Sequence, residues 1–141
     1  MQLNNTSQYA IRVVSYIADQ KSGSFQSGKE LAEVLNIPYK FLTKIMGKLV
    51  QAGVIKSVRG REGGYELNKP ASEIVIADIL DIFNDSLHDE RCVLGIGLCD
   101  CTNKCALHDQ WIEPRDLIRK MFQETTIATL AKKGYNACTK R

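Results

Sequence analysis

Apolar residues recur at Ala10, Val13, Val14, Ile17 and Ala18, the spacing of one helix face, behind a polar Asn4-Asn5-Thr6-Ser7 start. The pattern predicts an amphipathic first helix, ended by Lys21-Ser22-Gly23-Ser24. Ser27, with Glu30 in the third position after it, has the form of a capping box. It opens a short helix whose apolar positions are Leu31, Ala32 and Leu35. Asn36-Ile37-Pro38 interrupts, and Pro38 suits the first turn of a third helix because its φ is already near the helical value. In that helix Phe41, Leu42, Ile45 and Leu49, with Met46 beside them, form an expected inner stripe. Tyr39, Lys40, Thr43, Lys44 and Lys48 point the other way, and Gly53 closes the helix. Two short strands near 55–58 and 65–67 flank a glycine-rich tip and predict a hairpin. Ile74, Ile76, Ile79, Leu80 and Phe83 then give a connecting helix. From about Lys104 a long amphipathic helix runs through Leu107, Trp111, Ile118 and Phe122, with Leu117 and Met121 beside the stripe. Pro114 would kink it or mark a restart.

The order of these elements predicts a mainly α fold with a small β-hairpin: a winged helix-turn-helix domain followed by a long C-terminal dimerisation helix. Charge sharpens the picture. The net charge of +3 divides into +5 on residues 1–70 and −2 on the remainder. Lys40, Lys44 and Lys48 line one helix face, where they repel one another slightly and gain only from a polyanion. Arg59 and Arg61 sit on the hairpin tip, within reach of phosphates or a narrow minor groove. Tyr39, Lys40, Thr43 and Lys44 are therefore candidates for base edges or adjacent phosphates, and Lys48, Arg59 and Arg61 for positioning double-stranded DNA.

The segment CVLGIGLCDCTNKCALH, residues 92–108, gathers four of the five cysteines and one of the two histidines. Cys92, Cys99, Cys101, Cys105 and His108 have neither the paired spacing of a zinc ribbon nor the run of a bacterial ferredoxin. Gly95 and Gly97 let the loop fold back closely, and Cys105 and His108, three apart, share a face at a helix start. The interleaved Asp100, Thr102, Asn103 and Lys104 do not suit a buried apolar role for these thiols. Three readings stand: an iron–sulfur cluster, zinc on a Cys₃His set, or a metal-free thiol switch. Cys138 in the polar tail and His88 have no ligand partners at useful spacing.

The polar N-terminus lacks the shape of a secretory signal, and IVIADILDIF is too short and too acidic to span a bilayer. The expected setting is cytoplasmic, where clustered cysteines serve metal or redox chemistry more than disulfides. No serine–histidine–acid arrangement or phosphate-cradling glycine loop points to an enzyme. A cluster-carrying redox protein is the alternative of another class, but it has no use for a lysine-striped helix and an arginine-tipped wing.

The N-terminal MQLNNTSQYAIRVVSYIA, the segment IPYKFLTKIMGKLVQAGVI and above all SVRGREGGYELNKPASEI make the chain resemble the Rrf2 family of bacterial transcription regulators, from Met1 to about Leu130. The cysteine segment followed by ALHDQW continues the match. The resemblance implies a homodimeric regulator, such as a repressor, on an inverted-repeat operator, controlled by a [2Fe–2S] or [4Fe–4S] cluster. It implies Cys92, Cys99 and Cys105 as ligands, with His108 fourth, as in the branch that senses cluster supply, or Cys101 in its place. In the nitric-oxide-sensing branch an acidic ligand comes from near the partner's N-terminus, and Gln8 stands at that position here. The implied organisation is a DNA-binding domain over 1–84, a cluster-binding loop over 85–108, a dimerisation helix over 104–131 and a tail over 132–141.

Overall fold

The computed structural model describes residues 3–20, 24–60, 63–85, 92–94, 102 and 104–133. Its elements are α1 (Asn5–Asp19), α2 (Gly28–Leu35), α3 (Tyr39–Gln51), β1 (Ile55–Val58), β2 (Gly64–Leu67), α4 (Ile76–Ile82), α5 (His108–Glu124) and α6 (Ile127–Lys133). A single 3₁₀ turn, Ala71–Glu73, precedes α4. This is a winged helix-turn-helix, mainly helical with one antiparallel hairpin.

Local signals set the helix ends. Asn4 Oδ1 accepts from the Ser7 N–H at 2.8 Å, and Ser27 Oγ accepts from the Glu30 N–H at 3.1 Å, so both helices begin on side-chain caps. Pro38 stands one residue ahead of α3, at its N-cap. The other ends of α2, α3 and α4 close alike. Asn36 (φ 54°), Gly53 (φ 79°) and Asn84 (φ 53°) take the left-handed conformation. The next residue's N–H then reaches back to the last turn: Ile37 to the Ala32 carbonyl at 3.0 Å, Val54 to Leu49 at 3.1 Å and Asp85 to Leu80 at 2.9 Å.

The core gathers Ala10, Val13, Val14 and Ile17 of α1 with Leu31 and Leu35, with Leu42, Ile45, Met46 and Leu49 of α3, and with Ile74 and Ile79 around α4. One expected member is absent. Phe41 is 45% exposed, because Leu42, Ile45, Met46 and Leu49 centre the buried face and leave position 41 on its flank. Its ring meets Tyr9 edge to face at 6.0 Å.

The C-terminal region departs from a single helix over 104–131. α5 starts at His108, runs through Pro114 and stops at Glu124, and α6 follows after two residues. The break is made by distant partners. Ile76 N–H donates to the Thr125 carbonyl at 3.0 Å, and Ile127 N–H to the Ile74 carbonyl at 2.8 Å. α6 thus folds back on the winged-helix unit, where Ile127 is fully buried.

Candidate nucleic-acid interface and cysteine segment

The buried face of α3 fixes what its other face presents. Tyr39, Lys40, Thr43, Lys44 and Lys48 are all exposed, as the sequence pattern requires. Lys40 and Lys44 lie with Thr43 and Gly47 near the middle of the outer face, and Thr43 Oγ1 donates back to the Tyr39 carbonyl at 2.9 Å. Lys48 lies on the flank beside Phe41. Among the described residues neither Lys44 nor Lys48 forms an ion pair, so their charge is available to an incoming anion.

The wing stands next to this face. Lys56 and Glu66 pair across it at 2.9 Å, and Arg59 is exposed just beyond β1. Arg61 lies outside the described residues. Two main-chain bonds carry the hairpin onto the entry to α2: Gln26 N–H to the Tyr65 carbonyl at 3.1 Å and Tyr65 N–H to the Gln26 carbonyl at 2.8 Å. That close approach explains Gly64, and the hairpin's own backbone explains Gly63. A Cβ on Gly64 would sit 2.5 Å from the Gln26 carbonyl oxygen, and one on Gly63 would collide with the Val58 carbonyl oxygen. The Tyr39 and Tyr65 rings both lie against Gly28, where a Cβ would be 3.5 Å from Tyr39. Helix-turn-helix and wing are therefore joined through the entry to α2. Sequence reasoning missed this link, because Gln26 carries no signal of pairing with a strand 39 positions away.

Of the cysteine segment, Cys92, Cys105 and His108 lie within the described residues; Cys99, Cys101, Gly95 and Gly97 lie outside them. Cys92 is buried, and the Leu94 N–H donates to its sulfur at 3.4 Å. Backbone donors of this kind also tune cluster sulfurs. Cys105 stands half-buried at the entrance to α5, and its carbonyl accepts from the His108 N–H at 3.1 Å. His108 is buried on the first turn. Thiols and an imidazole are the donor types that suit a soft metal centre. Among the described residues no three His, Cys, Asp or Glu side chains form a metal-holding group. Gln8 is engaged locally, its amide donating to the Leu3 carbonyl at 2.6 Å.

α5 leads away from this segment with its apolar stripe divided. Trp111, Ile118 and Phe122 are half-buried, while Leu117 is 62% and Met121 51% exposed, with Leu107 also exposed. No helix among the described residues is long and apolar enough to cross a membrane.

The sequence model of the Rrf2 family, described as an iron-dependent transcriptional regulator, matches residues 3–133. A protein of Aquifex aeolicus named as an HTH-type transcriptional regulator is 35% identical over 132 residues, covering 92% of this chain and 91% of its own. The oxidized form of CymR from Staphylococcus aureus is similar in structure, with a TM-score of 0.74 and 29% identity over 94% of this chain and 97% of that one. CymR of B. subtilis, called its global cysteine regulator, gives a TM-score of 0.81 over 95% of this chain and 98% of that one. At 23% identity that second likeness is one of fold.

Proposed function

The chain belongs to the Rrf2 family of transcriptional regulators, and on that premise we propose that it is a homodimeric DNA-binding regulator whose operator affinity is set by an iron–sulfur cluster in the cysteine segment. The observation that carries the DNA-binding half is the outer face of α3. Lys40, Thr43, Lys44 and Lys48 stand exposed on the side of α3 away from its buried stripe, and Arg59 is exposed just beyond β1 of the wing. α3 enters the major groove, Tyr39, Lys40, Thr43 and Lys44 meet base edges or neighbouring phosphates, and Lys48, Arg59 and Arg61 hold the duplex. Two copies joined along α5 would address two half-sites about 34 Å apart, or a multiple of that.

The sensing half rests on the donor set and on the family's iron dependence. Cys92, Cys99 and Cys105 would hold the cluster, with His108 or Cys101 as the fourth ligand; bound there, the cluster supplies a redox- and ligand-sensitive centre. Cys105 and His108 lie at the entrance to α5, so losing the cluster would release that helix start and alter how two recognition helices are presented. The likeness to an oxidized CymR supports a second reading in which the same thiols respond without metal.

Anaerobic purification followed by an absorption spectrum and by iron, sulfide and zinc assays separates these readings. Visible charge-transfer bands with matching iron and sulfide are expected, and replacing Cys101 and His108 in turn would identify the fourth ligand. Zinc without sulfide, or a colourless metal-free protein, would leave the regulator and remove the cluster.

A further inference from the structure

α4 ends in a turn that touches both the recognition helix and the start of α1. Phe83 is only 8% exposed, and the ammonium of Lys48 lies over its ring, 5.7 Å from the centroid. That distance is within the range of a cation–π contact. The same ring, with Thr6, Phe41, Lys44, Ile45 and Lys48, lines a cavity of about 200 Å³ along the flank of α3. Two further contacts fix where the ring stands. The left-handed Asn84 brings the Asp85 N–H back to the Leu80 carbonyl at 2.9 Å. The Asp85 carboxylate in turn accepts from the Asn4 N–H at 2.9 Å, at the cap of α1.

We propose that Phe83 is a positioning residue for DNA binding, its ring face holding the Lys48 ammonium on the flank of α3 ready for a phosphate. The proposal rests on the reading of α3 as the recognition helix. A lysine must give up much of its rotamer freedom to meet a phosphate, and an ammonium already held against a ring has less to lose. The ring attracts the charge through its quadrupole and takes no proton from it, so the N–H groups stay free to donate outward. A carboxylate in the same place would neutralise the lysine; an aromatic face orders it and leaves its charge for DNA.

The test is the affinity of the full chain for a mixed-sequence duplex about three helical turns long, followed by fluorescence anisotropy over a series of salt concentrations. Phe83→Leu keeps an apolar side chain but removes the π face, and should weaken binding roughly two- to five-fold. Phe83→Tyr restores the face and should restore affinity. In a Lys48→Gln background, Phe83→Leu should have no further effect, because the side chain it acts through is gone. A merely structural role predicts otherwise: Phe83→Leu would cost the same with or without Lys48, and that result overturns the proposal. So does a Phe83→Leu protein that binds more tightly, which would mean that the ring sequesters the lysine. Lys48→Gln by itself should lower the salt slope of the dimer by about two, one contact for each protomer. If it moves neither slope nor affinity, α3 does not present this flank to DNA and the proposal fails; the reading of α3 as the recognition helix fails only if Lys40→Gln and Lys44→Gln are equally silent.

Discussion

Glycine substitutions separate the positions where this backbone needs a hydrogen from those where it does not. Gly64→Ala places a methyl against the Gln26 carbonyl and must part the wing from the entry to α2. The loss of that main-chain pairing should cost roughly 1–3 kcal/mol in urea denaturation. Gly47, within α3, has open space where a Cβ would stand, so Gly47→Ala should instead stabilise by roughly 0.5–1 kcal/mol. Equal effects at the two sites would contradict the account of the wing. Arg59→Ala should leave stability unchanged, weaken DNA binding and lower the dimer's salt slope by about two, since it removes one phosphate contact from each protomer. The exposed lysines were legible from periodicity, because each outward position follows from the buried stripe, and Arg59 from the glycine-rich tip that carries it. Phe41 was not, since an apolar residue on the flank of such a stripe reads as core until its neighbours are known. The need for glycine at 64 was equally hidden, because its cause is the distant Gln26 carbonyl, whereas Gly63 answers to the Val58 carbonyl within its own hairpin.

At the level of elements, α1 to α4 and the hairpin follow from caps, breakers and periodicity, and their bounds match those signals closely. The C-terminal helix does not, because what ends α5 is non-local. Thr125 and Thr126 lie where the chain must turn to pair with Ile76 and Val75, and no turn residue announces it. The stripe on α5 was visible in the sequence, but its division was not. Trp111, Ile118 and Phe122 lean on their own subunit, and Leu117 and Met121 are left facing outward. Two such exposed apolar residues on one seam suit a second copy of the helix. Leu117→Glu should therefore give a folded monomer in sedimentation velocity at concentrations where the parent is a dimer. A Leu117→Glu dimer would place the interface elsewhere.

For the whole molecule the decisive quantity is how DNA affinity depends on salt in two states of the protein. With Lys40, Lys44, Lys48, Arg59 and Arg61 on each of two protomers, roughly six to ten phosphate contacts would give a slope of roughly −5 to −9 on logarithmic axes. The Leu117→Glu monomer should show about half of it. Removing the proposed cluster is a different perturbation, and the slope reveals its nature. If cluster loss only shifts a population between competent and incompetent dimers, every bound complex still makes the same phosphate contacts. Affinity then changes, tenfold for each 1.4 kcal/mol of shift, while the slope stays as it was. If cluster loss instead frees one recognition helix from its half-site, affinity and slope fall together toward the monomer's values. The cysteine spacing could suggest a sensor but not this distinction, because it depends on how α5 of one copy meets the other. Measuring the slope before and after chelation therefore decides between a dimer that switches as a unit and one that lets go on one side. The wing is hydrogen-bonded to the entry of α2, so each protomer presents its contacts as one surface, and an unchanged slope is the expected result.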